Sequence, residues 1–64
     1  MEKWIGLTRT FEDKAIIVNA KNIAYIEENS DGTSTVVFNY GGGFSVKQNL
    51  MSIVEDIKSS VRIP

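Results

Sequence analysis

The chain has 64 residues, a formal net charge of −1, and neither cysteine nor histidine. These counts exclude a disulfide framework and the zinc and copper sites that depend on Cys or His ligands. A chain this short buries only ~60% of the surface that its unfolded form exposes, so its stability must come from a well-packed core, from oligomerisation, or from both.

The first two thirds of the chain show the two-residue apolar period of β-strands. In the first segment, Ile5 and Leu7 alternate with Trp4 and Thr8. Polar breaks at residues 11–14 and 19–22, an Asp-Gly turn at residues 31–32 and a glycine triplet separate the later segments. The pattern predicts five strands, at about residues 3–10, 15–19, 23–28, 33–40 and 44–47.

The glycine triplet, residues 41–43, has two possible interpretations: a phosphate cradle or a hairpin turn. The dinucleotide and P-loop motifs require a helix, or a Lys-Ser/Thr pair, directly after the glycines. Here Phe44 and Ser45 follow, within another predicted strand. We therefore interpret the triplet as a hairpin turn, in which glycine adopts positive φ at no steric cost.

The last part of the chain changes to a helical period. Its apolar residues share one stripe, at Leu50, Ile53, Val54, Ile57 and Val61. Asn49 is suited to cap the first turn through its side-chain oxygen. The spacing predicts an amphipathic helix at about residues 50–61.

Together these elements predict a single α+β domain over residues 1–64. Its sheet is expected to be a five-stranded antiparallel meander, followed by the C-terminal helix. One helix covers only one face of such a sheet, yet the second and third strands are apolar on both faces. We therefore expect a strongly curved or barrel-like sheet together with homo-oligomerisation, or else a second face that binds another protein.

Catalytic and cofactor signatures are weak. The hydroxyl residues lie in no nucleophile motif, and no His or Cys is available as a base partner. The acidic group Glu27, Glu28 and Asp31 lacks the ligand spacing of a calcium loop. The sequence therefore predicts a non-enzymatic protein without a cofactor or metal.

Three aromatic residues, Trp4, Phe38 and Tyr40, are the predicted anchors of an interaction surface, because aromatic side chains dominate such interfaces. The alternative is a small nucleic-acid-binding or regulatory protein that uses Lys3, Arg9, Lys14 and Lys47. The seven basic residues are spread singly, without the basic stripe of nucleic-acid binders, so nucleic acid is not the favoured partner. No segment is apolar enough to span a membrane and no signal peptide is recognisable, which favours the cytoplasm.

Several runs resemble a known family. Residues 7–9 (Leu-Thr-Arg), 16–19 (Ile-Ile-Val-Asn) and 23–28 (Ile-Ala-Tyr-Ile-Glu-Glu), with the segment from Val46-Lys47 to Ile57, are similar to the small bacterial flagellar proteins of the FlbD (SwrD) family. The resemblance implies a strand-rich architecture with a C-terminal amphipathic helix, a role linked to the flagellar motor, and no enzymatic site. Residues 23–27 and the strands after them also resemble the first half of LytTR-type DNA-binding domains, which implies the nucleic-acid alternative.

Overall fold

A computed structural model describes residues 3–59 of the chain. Five antiparallel strands and one C-terminal helix confirm the α+β class. The elements are β1 (Trp4–Thr8), β2 (Ala15–Asn19), a 3-10 turn (Ala20–Asn22), β3 (Ile23–Glu28), β4 (Ser34–Phe38), β5 (Gly43–Val46) and α1 (Leu50–Ser59).

The five strands form two sheets instead of one meander. Sheet A contains β1 and β2, and sheet B contains β3, β4 and β5 in that order. The prediction of a strongly curved or barrel-like sheet is therefore wrong. The 3-10 turn explains the break, because it carries the chain from β2 into the other sheet, so β2 and β3 do not pair although they are consecutive.

The two sheets are joined at one corner. The Thr10 amide donates to the Ser45 carbonyl at 3.0 Å, and the Lys47 amide donates to the Thr8 carbonyl at 2.8 Å. An isolated bridge between Arg9 and Val46 lies between these bonds. Strand β1 ends at Thr8, before the predicted residue 10, because the chain leaves β2 here and crosses to β5.

The core lies between the sheets and under the helix. Its buried residues come from three strands and α1: Ile5, Leu7, Val36, Phe38, Val46 and Ile53. Burial of each such side chain stabilises the fold by about 1.5–3 kcal/mol. The predicted alternation in β1 is present, since Ile5 and Leu7 are buried whereas Trp4 is exposed.

The helix begins where the sequence predicts. The Asn49 side-chain oxygen accepts a hydrogen bond from the Ser52 amide at 2.8 Å, which satisfies one of the unpaired donors of the first turn. Ile53 is the fully buried residue of the predicted stripe. The helix is described to Ser59, and the remainder of the predicted range, including Val61, lies outside the described residues.

The glycine triplet forms a hairpin turn between β4 and β5. The Phe38 amide donates to the Gly42 carbonyl at 3.0 Å, and Gly41 and Gly42 have φ angles of 94° and 80°. At Gly43 a Cβ would lie 2.2 Å from the Val36 carbonyl oxygen, so only glycine fits there. Strand β4 is shorter than predicted because residues 39 and 40 belong to this turn.

Candidate interaction surface

An open groove of about 350 Å³ lies along β2. We call it the aromatic groove, and it is lined by residues 16–19 of β2, Trp4, Asn22, Phe38, Tyr40 and Phe44. Four of these side chains are aromatic, and among the lining residues none is a carboxylate, lysine or arginine. The groove is therefore suited to an apolar occupant rather than to a charged ligand.

A ladder of rings forms the wall opposite β2. The Tyr40 and Phe38 rings are parallel within 1° at a centroid distance of 5.4 Å, and Phe44 meets Phe38 at 5.4 Å with a tilt of 55°. The Arg9 guanidinium carbon lies 4.8 Å from the centre of the Phe44 ring. Such ring contacts fix the aromatic wall, because each stabilises its geometry beyond simple area burial.

The structure brings the three predicted anchors together at this groove, but in different roles. Trp4 is 53% exposed and Tyr40 is 76% exposed, so both present ring surface to a partner. Phe38 is only 6% exposed and belongs to the core. It supports Tyr40 from below and offers little surface of its own.

Ile17 and Phe44 also line the groove, although neither was among the predicted anchors. Ile17 is 69% exposed on the outer face of sheet A, and Phe44 extends the ring ladder. The signal for Ile17 was present in the uncharged apolar run of residues 15–18. The position of Phe44 depends on the pairing of β4 with β5, which places Phe44 opposite Val36.

The backbone of β2 forms one side of the groove. The hydrogen bonds from Arg9 to Lys14 and from Ala20 to Lys3 fix which residues of β2 bond to β1. Hydrogen-bonded and non-bonded pairs alternate in an antiparallel ladder. Ile16 and Val18 therefore form their backbone hydrogen bonds with β1. The amide and carbonyl groups of Ala15 and Ile17, and the amide of Asn19, therefore point away from β1. The Asn19 carbonyl begins the 3-10 turn. Within residues 3–59, β2 pairs with β1 alone.

The other outer strand, β3, has a different surface. Its pairing with β4 contains a register shift between Ile23 and Tyr25, and its C-terminal end carries Glu27 and Glu28. Helix α1 lies against this strand. A bulge and charged side chains are features that protect an edge strand from further pairing.

Of the four cations of the nucleic-acid alternative, Arg9, Lys14 and Lys47 lie near the corner where the sheets join, and two of these three have anionic partners. Lys47 forms an ion pair with Asp13, and the Arg9 side chain lies 3.2 Å from the Glu12 carboxylate. These pairs reduce the positive charge available to a phosphate backbone. The arrangement therefore favours an apolar interface over a basic one.

Two exposed carboxyl groups have perturbed acidity. The Thr33 hydroxyl and amide donate to Asp31 and hold the pKa of its carboxyl below its ordinary value of 3.8. A hydrogen bond from Lys47, and then its charge, likewise lowers the pKa of Asp13. Both carboxyl groups lie in loops between strands, away from the groove.

Residues 3–59 contain no group of three or more His, Cys, Asp or Glu side chains placed to hold a metal ion. In the same part of the chain, no helix has the length and apolar character needed to cross a membrane. The chain matches no family model, no curated protein and no solved structure.

Proposed function

We propose that this protein is a non-enzymatic, homo-oligomeric interaction module of the cytoplasm, and that the aromatic groove and the β2 edge are its binding surface. The observation that carries the proposal is the joint exposure of Trp4, Tyr40 and Ile17 around one groove next to unpaired strand backbone. Exposed aromatic anchors beside an apolar groove are typical of protein interfaces.

The small size of the fold supports the same proposal. A 64-residue chain without disulfides gains stability when a partner covers its remaining apolar surface. A strand edge supplies main-chain hydrogen bonds to such a partner, while the neighbouring groove accepts side chains. The proposed architecture and role resemble those of the FlbD family, whose link to the flagellar motor makes an assembly of several proteins the expected setting.

Light scattering over a range of protein concentrations tests the proposal. We expect an oligomer at micromolar concentration, and we expect Trp4→Ala to weaken its association about tenfold or more, which corresponds to ~1.4 kcal/mol. Trp4 is the single tryptophan of the chain, so its fluorescence emission should shift to longer wavelength on dilution as the ring becomes solvated.

Phe11→Ala is the matched control, because Phe11 is 93% exposed but does not line the aromatic groove. This variant should associate like the original protein. A clean monomer at all concentrations, or equal effects of the two substitutions, would contradict the proposal. Salt-dependent binding of random DNA at low ionic strength would instead support the nucleic-acid alternative.

A further inference from the structure

We infer that the partner at the β2 edge is a second copy of this chain, paired antiparallel with β2 about a two-fold axis at Ile17. The inference rests on the proposed function and specifies its occupant and register. The paired β2 strands would join two copies of sheet A into one four-stranded sheet, in the order β1, β2, β2 and β1.

The first support is the lack of protection on this edge. β2 reads AIIVN, without proline, glycine or charge, and its pairing with β1 runs without a register shift. Proteins normally protect an exposed edge with a proline, a charged side chain or a bulge. An apolar edge that lacks all three is prone to pair with another strand. The β3 edge of the same molecule carries a bulge, two carboxylates and a neighbouring helix.

The second support is the symmetry of the free backbone groups. Ala15, Ile17 and Asn19 point outward, and Ile17 is central among them. An antiparallel copy can therefore pair Ala15 with Asn19, Ile17 with Ile17, and Asn19 with Ala15. The Ile17 pair exchanges two hydrogen bonds, and each outer pair adds one from the Asn19 amide to the Ala15 carbonyl, since the Asn19 carbonyl already serves the 3-10 turn. This gives about four hydrogen bonds across the interface. A shift by two residues in either direction would lose one of the three pairs.

The third support comes from the side chains near the axis. Two copies of an uncharged strand bring no like charges together, so the self-pairing has no electrostatic cost within the strand. On the outer face, Ile17 meets its counterpart, while Gly6 opposite it leaves space beside the exposed Trp4 ring. A continuous apolar surface across the axis results.

The aromatic groove explains why a second copy, rather than a free peptide, fits this edge. Sheet A has two strands and sheet B has three, so the core is open on the side of β2. A two-fold axis beside β2 turns the open sides of both cores toward each other. A stable dimer buries ~800 Å² on each partner, nearly a fifth of the 4374 Å² accessible surface, so the grooves must contribute to the contact as well as the strand edges.

Single cysteines test the register directly, because the chain has no native cysteine. In the inferred dimer the two Ile17 Cα atoms lie ~5.5 Å apart, within the range for a disulfide. We expect Ile17→Cys to form a covalent dimer rapidly under mild oxidation at micromolar concentration. Tyr25→Cys, at an exposed position on β3, should form little covalent dimer under the same conditions.

Two further variants separate this register from others. Ala15→Cys alone should not cross-link efficiently, because its copy would lie ~13 Å away along the paired strands, beyond disulfide reach. A mixture of Ala15→Cys and Asn19→Cys proteins should instead form the mixed covalent dimer, since these two positions face each other across the axis.

The outcomes distinguish the inference from the function on which it rests. An oligomer by light scattering that does not cross-link through Ile17→Cys would overturn the inference and leave the proposed function standing. Equal cross-linking by Tyr25→Cys and Ile17→Cys would also overturn it. A monomer at every concentration would overturn both.

Discussion

The two outer strands of this protein differ in how their exposed edges are protected from pairing with another strand. Strand β3 ends one sheet with a bulge, two glutamates and a helix beside it. Strand β2 ends the other sheet with a regular, uncharged backbone beside an aromatic groove. The β2 edge lacks the protection that β3 has, and it is therefore the surface through which we propose that the molecule associates.

The difference between the two edges also fits the way in which the two sheets cover the core. The apolar residues Ile16 and Val18 face the core, but their sheet is too narrow to cover it alone. Additional coverage from a partner would complete this core, whereas sheet B already has three strands and the neighbouring helix. In the proposed assembly the two edges would make separable contributions, β3 to folding and β2 to association.

The largest expected effect concerns the protected side. Ile53 is fully buried and fixes α1, the helix that lies against β3. We expect Ile53→Ala to lower the free energy of unfolding by about 2–5 kcal/mol, because it leaves a cavity in the core. Urea denaturation measures this loss, and the 64% exposed Met51 of the same helix provides the control. A loss for Met51→Ala as large as that for Ile53→Ala would show that α1 is not anchored through Ile53.

The second effect concerns association and contrasts the two edges directly. Ile17→Lys places two ammonium groups at the two-fold axis and removes the central apolar contact, so we expect the dimer to weaken on the order of 100-fold. Glu28→Lys on β3 adds the same side chain at the other edge and should change the dissociation constant little. Sedimentation or light scattering measures both variants. A larger loss of association for Glu28→Lys than for Ile17→Lys would indicate that the interface lies at β3.

The smallest effect is a dependence of stability on pH. Because the folded-state pKa of Asp31 is lowered by its bonds to Thr33, the ionised carboxylate stabilises the fold above its ordinary pKa of 3.8. This contribution is lost as the pH falls from about 3.8 through the lower folded-state pKa. Asp31→Asn should therefore flatten the stability profile in this range, measured by thermal unfolding. An unchanged profile would show that the turn between β3 and β4 does not depend on this charge. Strand β2 contains no titratable side chain, so this pH dependence belongs to sheet B.

The elements of the fold were predictable because their signals are local. The Asp-Gly turn, the glycine triplet and the Asn49 cap each act within a few residues, and the structure has a turn or helix start at each. The division into two sheets was not predictable in this way. It depends on the contact of residues 9 and 10 with β5, across more than 30 positions in sequence.

The candidate site also depends on contacts between distant residues, which the local sequence pattern does not show. The two-residue period places Phe38 and Tyr40 on one face of an extended strand, which made both appear equivalent as anchors. The chain instead enters the glycine turn after Phe38, so that Phe38 is buried and Tyr40 stacks on it from outside. The role of β2 as an edge depends on the order of strands in space, which the apolar pattern of the strand does not encode.

Amide hydrogen exchange tests the central claim most directly, because it reports on the two edges in one experiment. The outward amides of Ile17 and Asn19 on β2 should exchange slowly at high protein concentration and rapidly after dilution. The outward amides of Ile26 and Glu28 on β3 should exchange rapidly at both concentrations. Exchange at Ile17 and Asn19 that is independent of concentration, or protection that appears at Ile26 and Glu28 instead, would contradict the account.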